Sequence, residues 1–150
     1  MKLKRILSVL LTAAMLVGMI VTASVVTTAT DFPFTDVKET GATAWCYEKV
    51  KYVYENNLMS GTAADKFSPN MTMSRAQFVT VLGRLSGVDD NERLEADFVA
   101  DTFNDTNKNT WYSAHTAWAQ KNNIIAGNGN GGFSPDKAIN RQEAAVIIVQ

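Results

Sequence analysis

Apolar residues recur at helical spacing in two parts of the chain, and each part predicts a pair of helices. In the first part, one helix is predicted from about Trp45 to Asn56, and a second begins at Arg75. In the second part, the corresponding helices are predicted over 112–122 and from Arg141 onward. The apolar positions behind these predictions are Tyr47, Val50, Val53, Tyr54 and Leu58, then Phe78, Val81, Leu82 and Leu85, and finally Ala144, Ile147 and Ile148. The pattern predicts an all-α, helix-loop-helix protein.

The two parts are copies of one unit. Shifting the sequence by 66 residues aligns 45–84 with 111–150 without a gap and gives eight identities in forty positions. The shared residues include Trp, Gly, Pro and Arg, which chance seldom supplies together. Upstream, Phe-Thr-Asp-Val at 34–37 pairs with Phe-Asn-Asp-Thr at 103–106. Because one such unit cannot bury its own apolar stripe, the units are expected to pack against each other.

Segments around the units define the predicted domains. The chain begins with cations, then an apolar run, then small and hydroxyl residues, and this order predicts a secretory signal peptide over 1–29. The residues on either side of the apolar run favour a cleaved signal peptide over a retained membrane anchor. Repeat 1 is assigned to 30–88, an acidic connector to 89–102 and repeat 2 to 103–150, with a short helical turn expected at 93–98. Repeat 2 stops before the position that matches Ser86, so it is expected to be C-terminally truncated and the chain to be a fragment.

Composition and charge exclude several functions. The chain holds 14 basic and 15 acidic residues, and removal of the three cations in 1–29 leaves 11 basic against 15 acidic. Such a mildly acidic domain lacks the basic footprint that nucleic acid requires. Cys46 is the only cysteine, so no internal disulfide can form, and it is expected to be a small buried hydrophobe.

Each second helix opens with a predicted capping box. Ser74 and Gln77 fit this pattern in repeat 1, and Asn140 and Glu143 fit it in repeat 2. The first helices are predicted to end at Asn-Asn pairs, because asparagine tolerates the left-handed conformation that closes a helix.

An arginine follows each cap, at Arg75 and Arg141. A cation in the first turn faces the positive end of the helix dipole, so capping does not explain it. The planar guanidinium suits carboxylate and phosphate groups. On the residues alone, binding of an anionic ligand and an internal salt bridge both remain open.

Catalytic and metal-binding patterns are absent. The glycine-rich 127–132 matches a dinucleotide fingerprint by letter, but it follows a helix rather than a strand. The segment 105–116 begins like a calcium loop and lacks the required Gly and Glu. His115 aligns with Lys49 and is expected at the surface. The tryptophans are expected to be core anchors rather than a sugar-stacking platform: Trp45, Trp111 and Trp118. We predict no catalytic residue, no metal site and no cofactor.

Taken in order, these features resemble the S-layer homology (SLH) repeat of bacterial surface proteins. That repeat runs F-x-D-V, a Trp-led helix, a glycine turn, F-x-P and a second helix opened by T-R-A-E, and the chain shows this order twice. The resemblance implies helix-loop-helix repeats that form part of a pseudo-threefold helical bundle. It also implies ligand grooves between neighbouring repeats, of which two repeats would complete at most one.

The resemblance further implies non-catalytic, non-covalent anchoring to the cell wall through an acidic, often pyruvylated, secondary cell-wall polymer. The arginine of T-R-A-E is the family's main ligand contact, and it corresponds to Arg75 and Arg141. Backbone amides at the caps and polar loop groups would complete the groove. The predicted ligand-binding residues are Arg75, Arg141, Ser74, Gln77, Asn140, Glu143, Asp36, Asp105, Gly61, Gly127, Trp45 and Trp111.

Two alternatives stand beside this interpretation. In the first, the repeats anchor an extracellular enzyme, such as a glycoside hydrolase, whose catalytic domain lies beyond residue 150. In the second, they form a protein-interaction scaffold whose arginines make internal salt bridges. The expected location is the cell wall or S-layer of a Gram-positive-type bacterium. The expected partners are a wall glycan and other copies in a surface layer, with no nucleic acid and no membrane after signal cleavage.

Overall fold

A computed structural model describes residues 32–90, 103–108 and 110–150. Repeat 1 contains α1 (Ala44–Glu55) and α2 (Arg75–Leu85), and repeat 2 contains α3 (Ser113–Lys121) and α4 (Arg141–Ile148). The described residues form isolated β-bridges but no strand, so the all-α class is confirmed. None of these helices combines the length and apolarity needed to cross a bilayer. The predicted signal peptide, the turn at 93–98 and most of the acidic connector lie outside the described residues.

Repeat 1 is built around aromatic side chains. Cys46 and Val50 are buried on one face of α1, as predicted for Cys46, and Phe34 and Val37 of the preceding loop cover them. Around this core the rings of Phe32, Phe34, Tyr47, Tyr54 and Phe67 meet at centroid distances of 5.0 to 6.2 Å. Aromatic packing therefore replaces the disulfide that repeat 1 lacks.

The expectation that all three tryptophans are core anchors is wrong for two of them. Trp45 is 82% exposed and Trp111 is 56% exposed, whereas Trp118 packs against the core of repeat 2. Trp45 lies on the face of α1 that carries Lys49 and Tyr52, at four- and seven-residue spacing, and this face points away from Cys46. The helix period thus directs Trp45 into solvent.

The repeats join through α2 and α3, the helices that pack against each other. The predicted stripe of large residues on α2 is confirmed in part: Phe78 and Leu82 pack against the core, whereas Leu85 is exposed. Small side chains form the fully buried part of α2, and they allow the two backbones to approach: Ala76, Val79, Thr80 and Gly83. His115 of α3 fills the space beside Gly83 and is fully buried, so the expectation of a surface histidine is wrong.

Backbone pairing between the segments before α2 and α4 reinforces this contact. Ile139 N donates to Met73 O at 3.0 Å, and Arg75 N donates to Lys137 O at 2.9 Å. Ala76 N donates to Pro135 O at 3.0 Å. The N-terminal amides of α2 are therefore used between repeats, and the expectation that they line a ligand groove is wrong.

The local predictions at helix ends are confirmed. Ser74 and Asn140 accept hydrogen bonds from Gln77 N and Glu143 N, and both capping boxes are reciprocal. Both Asn57 and Asn123 follow a first helix in the left-handed conformation, each with φ of 56°.

Candidate functional site: two grooves along the repeat interface

The side chain of Arg75 extends from the start of α2 and contacts repeat 2. Its Nε donates to Phe133 O at 3.0 Å, and its Nη2 donates to Ala126 O at 3.4 Å. The guanidinium carbon lies 5.0 Å from the centre of the Phe133 ring, and the residue is only 8% exposed. These contacts offset the unfavourable position of a cation at a helix N-terminus.

An internal salt bridge, one of the two roles left open for Arg75, is not what holds it. Among the described residues, the ion pairs are Arg84–Asp90 and Lys137–Glu143, and His115 Nε2 lies 2.9 Å from Asp90 Oδ1. Arg75 is bound by carbonyl groups and an aromatic face, which direct its guanidinium without neutralising its charge.

Asp105 holds in place the Phe133 residue whose carbonyl accepts the hydrogen bond from Arg75. Its two carboxylate oxygens accept hydrogen bonds from Phe133 N at 2.6 Å and Ser134 N at 2.8 Å. Ser134 has φ of 60°, a left-handed conformation that the paired amides help to hold. The carboxylate predicted to contact a ligand therefore holds the Phe-Ser-Pro turn.

Asp36 makes the same fork in repeat 1. Its carboxylate accepts from Phe67 N at 3.0 Å and Ser68 N at 2.8 Å. Burial acts to raise the pKa of Asp36, but the hydrogen bonds from these amides outweigh it, and the pKa is lowered. The turn before each second helix is thus built identically in the two repeats.

A groove of about 380 Å³ opens beside Arg75, and we name it the Arg75 groove. It brings together four of the predicted site residues, one from repeat 1 and three from repeat 2. Its lining residues are Arg75, Asn123, Ile124, Ala126, Gly127, Asn140, Gln142, Glu143, Val146, Ile147 and Gln150.

Two charged side chains line the Arg75 groove. Glu143 is paired with Lys137 at 2.6 Å, and the hydrogen bond from Lys137 lowers the pKa of Glu143. Arg75 forms no ion pair among the described residues, although its charge acts on Glu143 and helps to lower the pKa of that carboxyl. The other polar side chains are amides, which can donate to or accept from a ligand: Asn123, Asn140, Gln142 and Gln150.

A second groove, of about 430 Å³, occupies the matching position in repeat 1, and we name it the Trp111 groove. A shift of 66 residues superimposes six of its lining positions on those of the Arg75 groove. These are Ser60/Ala126, Gly61/Gly127, Gln77/Glu143, Thr80/Val146, Val81/Ile147 and Arg84/Gln150. Repeat 2 contributes Trp111 to its rim, so three further predicted residues (Gly61, Gln77 and Trp111) share one site.

Gly61 and Gly127 line these grooves, and aromatic packing behind them requires glycine at both positions. A Cβ at Gly61 would stand 2.3 Å from the Phe34 ring, and one at Gly127 would stand 3.1 Å from the Phe103 ring. Each groove wall is thereby in direct contact with the core of its repeat.

Some predicted residues lie elsewhere. Arg141 is exposed, and its guanidinium makes no hydrogen bond or ion pair within the described part of the chain. Neither Arg141 nor Trp45 lines either groove. Across the described ranges, no cluster of three potential metal ligands occurs.

The duplication in the sequence agrees with comparison to known proteins. The family model of the S-layer homology domain matches residues 33–79 and 102–145, more than half of the chain. The chain belongs to the S-layer homology family. SLH domains are cell-wall anchoring modules rather than catalytic ones, which places this chain at the bacterial cell wall or S-layer.

Curated relatives of this SLH pair are much longer proteins. An endoglucanase of Bacillus sp. (strain KSM-635) is 34% identical over 119 residues, which cover 79% of this chain and 12% of the relative. A cell surface protein of Thermoanaerobacter kivui is 28% identical over 148 residues, 99% of this chain and 18% of the relative. An S-layer protein of Bacillus thuringiensis subsp. finitimus is 25% identical over 147 residues, which cover 98% of this chain and 16% of the relative. The chain therefore spans less than a fifth of these relatives, and no solved structure matches it.

Sequence reasoning missed Arg84, Asp90 and His115 of the SLH pair. Arg84 donates to both carboxylate oxygens of Asp90, and His115 Nε2 lies 2.9 Å from Asp90 Oδ1. A weak signal was present, because Arg84 stands in the last turn of α2 and two aspartates follow it closely in sequence.

Proposed function

We propose that the SLH pair is a non-catalytic wall anchor whose Arg75 groove binds the acidic group of a secondary cell-wall polymer. One observation carries this proposal: Arg75 is the only cation among the residues lining the groove, and it forms no ion pair among the described residues. Its Nε and Nη2 are fixed by Phe133 O and Ala126 O, which leaves the Nη1 edge of the fork for a ligand. A guanidinium held in this way is preorganised for a carboxylate, such as that of a pyruvyl ketal.

The neighbouring amides supply the second half of this function. Asn123, Asn140 and Gln142 offer donors and acceptors at neutral charge, which suits the hydroxyl and N-acetyl groups of a glycan. Glu143 is held by Lys137 and by its own helix cap, so its carboxylate is already engaged by donors of the protein. In this proposal Arg75 recognises the acid and the amides recognise the sugar that carries it. The polymer would be that of a Gram-positive-type wall.

Binding of native and chemically depyruvylated wall polymer tests the proposal. Arg75→Lys keeps the charge but loses the planar fork, and we expect it to weaken binding of the native polymer by roughly tenfold or more. Arg141→Ala is the matched control, because it removes the equivalent arginine from a position outside the groove. Equal binding by Arg75→Lys and the wild-type chain, with both folded by circular dichroism, would contradict the proposal.

A second candidate function follows from the similarity to an endoglucanase. Here the same wall-binding pair anchors an extracellular enzyme whose catalytic domain lies outside this sequence. The coding sequence beyond residue 150 decides between an appended hydrolase domain and a surface-layer protein. Burial of both guanidinium groups against carboxylates would favour the scaffold alternative, and neither Arg75 nor Arg141 forms an ion pair among the described residues.

A further inference from the structure

The glycine-rich loop, residues 127–132, contains the asparagines of the chain that precede a glycine. These are Asn128 and Asn130, and each stands in the same local sequence, Gly-Asn-Gly. An asparagine followed by glycine is prone to lose its side-chain amide, because glycine has no side chain to keep its backbone nitrogen away from the neighbouring amide carbon. Since the neighbours of the two asparagines are identical, any difference in their reactivity must come from the fold.

The fold engages both ends of the Asn128 side chain. Its Oδ1 accepts hydrogen bonds from Asn130 N at 2.9 Å and from Gly132 N at 3.2 Å. Its Nδ2 donates to Ser134 Oγ at 2.9 Å. The amide carbon of Asn128 therefore cannot turn toward Gly129 N without breaking these hydrogen bonds.

Repeat 1 shows which of the two side chains the loop requires. At the position that matches Asn128 it carries Thr62, whose hydroxyl lies 2.6 Å from that of Ser68. At the position that matches Asn130 it carries Ala64, whose side chain has no hydrogen-bonding group. The side chain at position 128 thus holds the loop as its counterpart does in repeat 1, whereas the loop does not depend on a polar side chain at position 130.

The reacting groups of Asn130 and Gly131 are accessible and unbound. Asn130 is exposed, and its side-chain amide makes no hydrogen bond within the described part of the chain. Gly131 is also exposed, and its N–H donates to no acceptor among those residues. The peptide that joins the two is contacted through Asn130 O, which accepts from Asn104 Nδ2 at 3.3 Å, a long hydrogen bond. Gly131 has φ of 79°, a conformation that favours glycine at this position.

We infer that Asn130 is a site of spontaneous deamidation, with water as the co-reactant, and that the fold protects Asn128. Gly131 N loses its proton to solvent and bonds to Cγ of Asn130. The Cγ–Nδ2 bond breaks, and Nδ2 takes up a proton and leaves as ammonia. Water then opens the cyclic imide at either carbonyl and yields aspartate or isoaspartate.

The product carries one additional negative charge on the glycine-rich loop. The first residue of this loop, Gly127, lines the Arg75 groove, so the modified residue stands three positions from the groove lining. The inference concerns the chemistry of the loop alone and does not depend on what the groove binds.

Peptide mapping by mass spectrometry tests the inference, after the folded chain has been kept in warm, mildly alkaline buffer. Asn130 should show the mass increase of an amide-to-acid conversion, with aspartate and isoaspartate peptides separated by chromatography. It should convert roughly tenfold or more faster than Asn128, because the reaction at Asn128 must first break three hydrogen bonds. In urea, where the fold is lost, the two asparagines should convert at similar rates.

Two variants provide matched controls, and each takes its residue from repeat 1. Asn130→Ala should abolish the conversion in the folded chain, and Asn128→Thr should leave the conversion at Asn130 in place. Equal rates at the two asparagines of the folded chain, or a faster rate at Asn128, would overturn the inference. A folded chain in which neither asparagine converts would overturn it as well, whatever the unfolded chain does. A preference for Asn130 that persisted unchanged in urea would show that the fold does not protect Asn128.

Discussion

The imidazole of His115 lies against the bare backbone of Gly83, and a Cβ at residue 83 would stand 2.4 Å from Nδ1. His115 is fully buried in α3 and its Nε2 is bound by Asp90, so the ring cannot move aside without losing that contact. The contact between α2 and α3, and hence between the repeats, depends on this glycine.

Gly83→Ala should therefore destabilise the protein, although alanine favours a helix. Overpacking costs about 1–3 kcal/mol, and the better helix propensity of alanine returns only about 1 kcal/mol. We expect a net loss of up to about 2 kcal/mol in the free energy of unfolding, measured in urea.

A double-mutant cycle provides the control for this prediction. In a His115→Ala background the clash is removed, so Gly83→Ala should be neutral or stabilising there. A stabilising effect of Gly83→Ala in the wild-type background would contradict the proposed packing.

Arg75 and Arg141 occupy matching sequence positions but should differ in their effect on stability. Arg75→Ala removes two charge-assisted hydrogen bonds and a cation–π contact, and it leaves the carbonyl of the fully buried Phe133 without its donor. We expect a loss of about 2–4 kcal/mol. Arg141→Ala, on an exposed side chain, should stay within about 0.5 kcal/mol of the wild type. Thermal unfolding of the two variants checks this, and equal effects would show that Arg75 does not join the repeats.

The local part of this architecture could be predicted from the sequence. The capping boxes at Ser74 and Asn140 and the left-handed Asn57 and Asn123 depend on residues within one turn, so their patterns determine them. The duplication and the family followed from the ordered motifs. Arg75 was singled out as a residue that helix capping does not explain, and its contacts with repeat 2 agree with that.

The non-local part could not be predicted. Hydrophobic periodicity gives most weight to large residues and found Phe78 and Leu82, which pack against the core. It did not find the small residues Ala76, Val79 and Gly83, which are the most deeply buried part of α2. The carbonyl partners of Arg75 lie more than 50 residues away and leave no side-chain signature in the sequence. The burial of His115 depends on the absent side chain of Gly83, which only the packed interface reveals.

The aspartates of the two Phe-Ser-Pro turns should be structural. Asp105→Ala leaves two backbone amides without an acceptor next to the buried Phe133, and we expect a loss of about 1–2 kcal/mol after allowing for partial exposure. The turn also carries the carbonyl that Arg75 uses, so binding of native polymer should weaken as well. Asp136→Asn, on the exposed side of the same turn, is the control for both measurements. Unchanged stability of Asp105→Ala would contradict the role of this fork.

Stability should fall in acid through Asp90. The hydrogen bond from Arg84 is the main cause that lowers the pKa of Asp90 from 3.8 to about 2. Burial acts to raise this pKa, and the hydrogen bond with His115 acts to lower it further. Because the folded-state pKa lies below the unfolded one, the contribution of Asp90 is fully present above the unfolded value. It is lost as the pH falls through about 2. Urea unfolding of the wild-type chain should therefore show a falling free energy of unfolding across this window. Asp90→Asn should make that fall less steep, and the control variant Asp136→Asn should leave it unchanged. Parallel curves for the wild type and Asp90→Asn would show that the Arg84–Asp90 pair does not stabilise the repeat interface.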